Sequence, residues 1–489
     1  MGLCDKHLLF AIIKQQRHYF RIQGLIGKGD VMDHKQRTKR HEHKKRQLDM
    51  LHGSLWNKLI IFALPLALTG VLQQLFNAAD VAVLGQFVGT HAMAAVGNNT
   101  PVISLFVTLF LGLSLGANVV IARYLGARCP EQASEAVHTT FMLALLAGIL
   151  LMILGEITAG IILSHLGVPD AVMPAAELYL RIYMLGLPFI SFYNFQAAIF
   201  RSRGDTRTPL IALAVASGLN IVLNLLFTGL FHGGVAGVAI ATVLSYGVGA
   251  AILFVSLLHS GDVLELHLHA LSLRWVYLDP ILRIGLPAGL QGMVFCISNI
   301  IIQSAINSLG ADAMAASAAA FTIEINVYCI INSFGQAATT FVSQNYGARN
   351  IRRCRSVMWW CLGLNAFFMG LMALFIYWQA IPMLGFFSSD PLVIELGNTR
   401  IMYVVYTQFI NILIEILSGA MRGYGFSLPP AILTLIGICG VRIAWVYAVF
   451  PSSHTFATLM ASYPVSWIVT AVLLGILYYR YVHRLPHTA

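Results

Sequence analysis

The chain has 489 residues, of which 58% are hydrophobic and only 10% charged, against roughly a quarter charged in ordinary soluble domains. Too few polar residues remain to coat water-soluble cores of that size, which excludes a soluble enzyme, a disordered chain and a collagen-like one. The formal charge of +10 belongs mainly to one tail: residues 1–50 hold 12 Lys/Arg against 5 Asp/Glu, and Lys58 is the last lysine. A basic tail on an apolar body is not a nucleic-acid-binding pattern.

In chain order, residues 1–49 read as a basic, unstructured cytoplasmic extension. His34 to Arg46 is nearly all Lys, Arg and His, and Met32 and Met50 are alternative starts. The apolar run Leu8 to Ile13 is too short to cross a bilayer and lacks a small-residue cleavage site. From Leu55 onward, apolar runs predict twelve membrane helices: 56–86, 93–122, 134–163, 174–200, 209–231, 235–259, 280–308, 313–341, 356–385, 393–420, 430–450 and 456–480. Alternate loops carry Arg123 and Arg128; Arg201, Arg203 and Arg207; Arg274 and Arg283; Arg349, Arg352, Arg353 and Arg355; Arg422; and the tail Arg480 and Arg484. The intervening loops carry no Lys or Arg. The positive-inside rule therefore predicts a multi-pass protein of the cell (cytoplasmic) membrane with both termini cytoplasmic.

The chain also repeats itself. Val88-Gly-Thr-His-Ala-Met-Ala-Ala95 recurs as Leu309-Gly-Ala-Asp-Ala-Met-Ala-Ala316, and Gly126-Ala-Arg128 recurs as Gly347-Ala-Arg349, both at an offset of 221. Leu64-Pro65 returns as Leu286-Pro287, Arg181-Ile182 as Arg400-Ile401, and Arg203-Gly204 as Arg422-Gly423. Six helices repeated once keep one orientation and enclose a central cavity between two lobes, an arrangement suited to alternating access. The expected division is 1–49 extension, 50–259 first lobe, 260–279 cytoplasmic linker, 280–482 second lobe and 483–489 tail. The fold class is thus an all-α polytopic membrane protein of two six-helix lobes.

These motifs resemble the multidrug and toxic compound extrusion (MATE) transporters: the Leu-Pro opening of each half, the VG…AMAA turn, the YLGAR/NYGAR loop and the RGDTRTP/RGYGFSLP loop. The similarity runs from about Leu55 to Arg480. It implies a V-shaped cavity and export of small cationic amphipathic compounds against inward H⁺ or Na⁺, by a monomer in the lipid bilayer.

Ionisable groups inside a bilayer are costly and ask for a reason. Asp80, Asn224 and Thr242 all fall about 10 Å below the outer surface, counting 1.5 Å per helical residue. Asn220 lies one turn deeper, and Gln73 and Asn77 precede Asp80 at spacings that share a helix face. A carboxylate among amides and a hydroxyl can exist charged or protonated, which is what a proton-coupled, ion-coupling and substrate-binding site needs; the alternative is a structural hydrogen-bond knot that lets helices 1, 5 and 6 pack. The MATE branch similar to DNA-damage-inducible protein F has an Asp matching Asp80, with an Asn, an Asp and a Thr completing its cluster. Here the matches are Asp80, Asn220 and Thr242, but the second Asp is Asn224. The carboxylates of the Na⁺-coupled branch fall at Phe295 and Asn411, neither of which titrates.

In the second half, Glu324 and Arg442 are expected to pair, since an unpaired intramembrane Arg would be very costly. Glu415, nearer the inner face, is expected to meet Arg422 or line the cavity. Arg181, Arg400 and Glu156 are expected to snorkel to the interface, and Pro65, Pro188 and Pro287 to mark kinks. Glu265-Leu-His267-Leu-His269 lacks a third metal ligand and reads as a solvated segment. No HExxH or P-loop is present, so neither a zinc enzyme nor an ATP-driven pump is expected, and no cofactor. The alternative function is a lipid-linked oligosaccharide flippase, which would need clustered cations in the cavity.

Overall fold

The computed structural model describes residues 48–165, 168 and 170–484. The basic extension up to residue 47 and the last five residues lie outside the described residues. Among those described, ten helices are long and apolar enough to cross a membrane, and two bent pairs complete twelve spans. They are α1 (Leu55–Phe87), α2 (Thr90–Gly126), α3 (Pro130–His165), α4 (Met173–Leu185 and Leu187–Ser202), α5 (Arg207–Leu230) and α6 (Gly234–Leu258) in the first half. The second half holds α7 (Trp275–Asn307), α8 (Ala311–Gly347), α9 (Ile351–Gly385), α10 (Pro391–Val404 and Gln408–Gly423), α11 (Leu428–Ser452) and α12 (Phe456–Val482). Most of these helices are apolar nearly all round, as a bilayer demands of a helix that satisfies its own backbone groups; the second segment of α10, Gln408–Gly423, is the amphipathic exception.

The duplication is visible in the backbone. Gly89 and Gly310, which precede α2 and α8, have φ of 111° and 103°, and Arg128 and Arg349, just past those helices, have φ of 57° and 59°. The structure also corrects one pairing of the repeats. Gly204 (φ 91°) corresponds to Gly425 (φ 93°), so Arg201 answers to Arg422, and Arg203-Gly204 does not answer to Arg422-Gly423. The cause is the bend within α4 and α10. In α4 the bend of 47° takes one residue, Gly186, ahead of Pro188; in α10 the bend of 43° takes three, Val405, Tyr406 and Thr407, with no proline. Two extra residues move the register from 219 to 221 partway along that span. Pro65 and Pro287, by contrast, sit inside uninterrupted helices.

Two apolar cores form, one per half, but the first helix of each half crosses over. Leu55, Leu59, Phe62 and Leu66 of α1 join the core of the second half, where Phe62 meets Phe341 edge-on at 5.5 Å. Tyr277, Leu278, Ile281 and Ile284 of α7 join the core of the first half. The linker lies on the first half as well. Leu264 and Leu266 are buried there, Arg203 pairs with Asp262, and the His267 backbone N–H donates to His138 Nε2 at 3.0 Å.

The two halves meet over the part of the bundle nearest the arginine-bearing loops, and backbone forms much of that contact. A Cβ built on Gly112 would lie 2.1 Å from the Gly289 nitrogen, and one on Gly116 2.3 Å from the Ile281 carbonyl oxygen. At the very end of α2 and α8, a Cβ on Gly126 would fall 1.9 Å from the Gln344 oxygen, and one on Gly347 2.1 Å from the Arg123 oxygen. Those four residues exchange places under the repeat, so the contact is self-complementary. Polar groups stitch the same region: Thr340 to Asn118 at 3.0 Å, Arg201 to Gln336 at 2.9 Å, and Gln344 to the Ser202 carbonyl at 2.7 Å.

Candidate functional site

The sequence-predicted cluster in the first half comes together. Asn224 Nδ2 donates to Asp80 Oδ1 at 2.6 Å, and Thr242 Oγ1 donates to Asp80 Oδ2 at 2.8 Å. Asn220 links the two donors, giving its Nδ2–H to Thr242 at 3.3 Å and accepting from Asn224 at 3.1 Å. All four side chains are buried, with Asp80 only 4% exposed. Helices α1, α5 and α6 each supply a part. The α5 contribution falls where the helix changes pitch, because a π-helical turn, Leu225–Leu230, begins directly after Asn224. Such turns recur at functional sites, since they break the regular backbone ladder.

Every hydrogen-bond partner of Asp80 is neutral, and among the described residues no cation pairs with it. A buried carboxylate held only by dipoles can lose its charge without stranding a partner cation. Protonated, it becomes a donor, and acceptors are at hand: the Thr242 hydroxyl has lone pairs, and Asn224 Oδ1 is buried without a partner. Gln73 and Asn77 do not join the cluster. Neither hydrogen-bonds to it among the described residues, and Asn77 is exposed. Spacings of four and three place residues on one broad face, but Asn77 is rotated about 60° from Asp80 at 100° per residue, enough to leave the buried seam.

In the second half the predicted Glu324–Arg442 pair is not formed. Glu324 Oε2 instead accepts from Arg400 Nη2 at 2.9 Å and Nε at 3.1 Å, and Arg400 Nη1 also reaches Ser317 at 2.6 Å. Arg400 is therefore a buried ion-pair member, not a snorkelling one; it is 4% exposed. Its repeat mate Arg181 remains half-exposed, bound to Glu177 at 2.7 Å and Glu156 at 3.3 Å. Arg442 is buried among rings, its guanidinium 4.2 Å from the centroid of Tyr463, 5.5 Å from Phe295 and 5.7 Å from Trp467. Glu415 accepts from the Tyr328 hydroxyl at 3.0 Å rather than from Arg422, which bonds the Ser418 carbonyl. Asn411 donates to Gln408 at 2.9 Å. No group of three or more His, Cys, Asp or Glu with metal-binding geometry occurs among the described residues, Glu265, His267 and His269 included.

The sequence and its twelve-span duplicated fold are matched by known proteins. A family model described as MatE matches residues 65–226 and again residues 287–448, once in each half. The chain belongs to the MatE family. This MATE chain is 27% identical over 444 residues to the probable multidrug resistance protein YoeA of Bacillus subtilis, which covers 88% of this chain and 95% of that protein. It is 29% identical over 390 residues to the probable multidrug resistance protein NorM of Thermotoga maritima, covering 79% and 84% of the two chains. Among solved structures, a MOP superfamily transporter from Pyrococcus furiosus matches with a TM-score of 0.84 at 23% identity, over 91% of this chain and 99% of that one. The family is one of membrane transporters, not enzymes.

Three tyrosines near the MATE cluster escaped the sequence reading. Tyr246 lies one helical turn beyond Thr242 on α6 and packs on Phe76 at 5.3 Å, and Tyr179 and Tyr183 stack on each other at 6.2 Å. Aromatic residues are too common in membrane spans to be singled out by type. The Glu324–Arg400 pair carries its own expectation. Both side chains are nearly buried, 12% and 5% exposed, so Glu324→Gln leaves a guanidinium uncompensated and should cost about 3–5 kcal/mol. Thermal unfolding in detergent should show that loss, and the double variant with Arg400→Gln should recover most of it. Recovery by Arg442→Gln in place of Arg400→Gln would overturn this pairing and give Glu324 to Arg442.

Proposed function

We propose that this MATE protein exports small cationic amphipathic compounds across the cell membrane by alternating access, driven by inward movement of H⁺ through Asp80. The observation that carries the reading is the buried Asp80 carboxylate, served only by neutral groups able to bond either protonation state. The names of the relatives, probable multidrug resistance proteins, support the substrate class. The arginine-bearing loops support cytoplasmic termini by the positive-inside rule. With that sidedness, close contact of the lobes at the arginine-bearing end corresponds to an outward-facing state. The functional units are the two lobes at 50–259 and 280–482, joined by the 260–279 linker and acting as a monomer without a cofactor, with residues 1–49 and 483–489 as cytoplasmic extensions.

In the cycle, Asp80 facing outward takes a proton, loses the charge that held the cationic solute and releases it. The protonated form then favours the inward-facing arrangement, where a new cation displaces the proton. Coupling requires only that proton affinity at Asp80 differ between the two arrangements, by about 1.4 kcal/mol for each tenfold difference. Purified protein in liposomes, given a proton gradient and separately a Na⁺ gradient, tests this through ethidium movement. Uphill transport under the proton gradient is the expected result. Transport under Na⁺ alone would replace the coupling ion, and no dye movement under either gradient would favour lipid-linked substrates.

A further inference from the structure

We infer that the second lobe holds an oxyanion-binding site built on Arg442, which takes the carboxylate or phosphate group of an amphiphilic solute. Arg442 is 1% exposed. Its Nε donates to Ser466 Oγ at 3.1 Å, while Nη1 and Nη2 are buried with no hydrogen-bond partner. Rings of Tyr463, Phe295 and Trp467 surround the guanidinium, which eases a buried cation but supplies no strong acceptor for its N–H groups. The nearby carboxylate of Glu324 is taken by Arg400. Arg400 and Arg442 both lie over the Tyr463 ring, at 5.6 and 4.2 Å, and only Arg400 pairs with that carboxylate, which leaves Arg442 without a counter-ion among the described residues.

The place of this charge in the fold points to binding. At the 221-residue offset between the halves, Thr242 answers to Tyr463, Ser245 to Ser466 and Tyr246 to Trp467. The α12 residues around Arg442 are therefore the second lobe's counterpart of the α6 side of the Asp80 cluster, and the charged group they surround is a cation instead of a carboxylate. Helix α11 carries π-helical turns on both sides of Arg442, Leu435–Gly440 and Trp445–Val449, as α5 carries one after Asn224. The free edge of the guanidinium is its Nη1–Nη2 pair, and a planar fork of this kind matches two oxygens of one carboxylate or phosphate. Solutes bearing both a cation and an oxyanion would complement both lobes at once.

The inference stands apart from the coupling role of Asp80, and its test needs no gradient. Full-length protein in detergent is titrated calorimetrically with benzoate, with phenyl phosphate and with benzyltrimethylammonium at constant ionic strength. Either oxyanion should bind wild type, and the two arms tell carboxylate from phosphate. Arg442→Gln should weaken that binding at least tenfold without weakening benzyltrimethylammonium. Arg442→Lys, which keeps the charge but not the fork, should also lose about tenfold. The inference is overturned if neither oxyanion binds wild type, or if the folded Gln variant binds it unchanged. Should the Gln variant not fold, unchanged affinity in the Lys variant overturns it equally.

Discussion

Asp80→Asn should abolish uphill transport while leaving the protein folded. The amide is nearly the size of the carboxylate, and its oxygen can still accept from Thr242 or Asn224, the two donors at 2.8 and 2.6 Å. Two amides and a hydroxyl supply both donors and acceptors, so the buried knot can re-form with one amide rotated. What disappears is the charge and the exchangeable proton. Proteoliposomes under a proton gradient should therefore move ethidium no faster than protein-free vesicles. Thermal unfolding should be no lower than wild type, because the variant removes a buried charge that had no counter-ion among the described residues. Unfolding well below wild type would instead mean that the carboxylate holds α1, α5 and α6 together. Gradient-driven transport retained at the wild-type rate would remove Asp80 from the coupling step.

The second large effect concerns the backbone contact between the lobes. Gly126→Ala adds one methyl group 1.9 Å from the Gln344 carbonyl oxygen, far inside any allowed separation. Overpacking of this kind ordinarily costs about 1–3 kcal/mol, and here relief comes by parting α2 from α8. The arrangement with the arginine-bearing end closed should lose population, and transport should fall with it. In a background where Cys329 is the sole cysteine, its labelling by a membrane-impermeant maleimide from the arginine-bearing side should accelerate about tenfold. Cys329 is suited to this, because its sulfur packs against Gly70, where a Cβ would approach to 2.8 Å. Gly370→Ala serves as the control, since nothing lies within 4 Å of a Cβ there. Unchanged labelling in Gly126→Ala would show that this contact does not set the balance between states.

The sequence reading located Asp80, Asn220, Asn224 and Thr242 because a membrane helix is a ruler. Counting residues from a loop gives depth, and none of the three helices concerned is a broken span, although the count to Asn224 runs through the π-helical turn Leu225–Leu230. The same counting failed for Glu324. Depth was sufficient to nominate Arg442 as its partner, but depth carries no azimuth, and Arg400, at a similar count from the outer end of α10 and ahead of its break, is the arginine that faces Glu324. Asn77 failed for a related reason: a helix face wide enough to hold three polar residues is wider than the seam between helices. The family motifs, lying in loops and turns where glycine conformation is fixed, were legible directly.

Under the proton coupling proposed above, protons must not pass without solute, and the contact between α2, α7 and α8 bears on that. Side chains that plug a passage fluctuate among rotamers, and each excursion can admit a water molecule. Here glycine backbones abut one another and the neighbouring carbonyls so closely that even a methyl group is excluded. Such a barrier has no rotamers to fluctuate, so water could enter only when whole helices separate, which is the transport step itself. Leakage and turnover would then share one motion, and the ratio of protons to solutes would be protected by geometry rather than by timing.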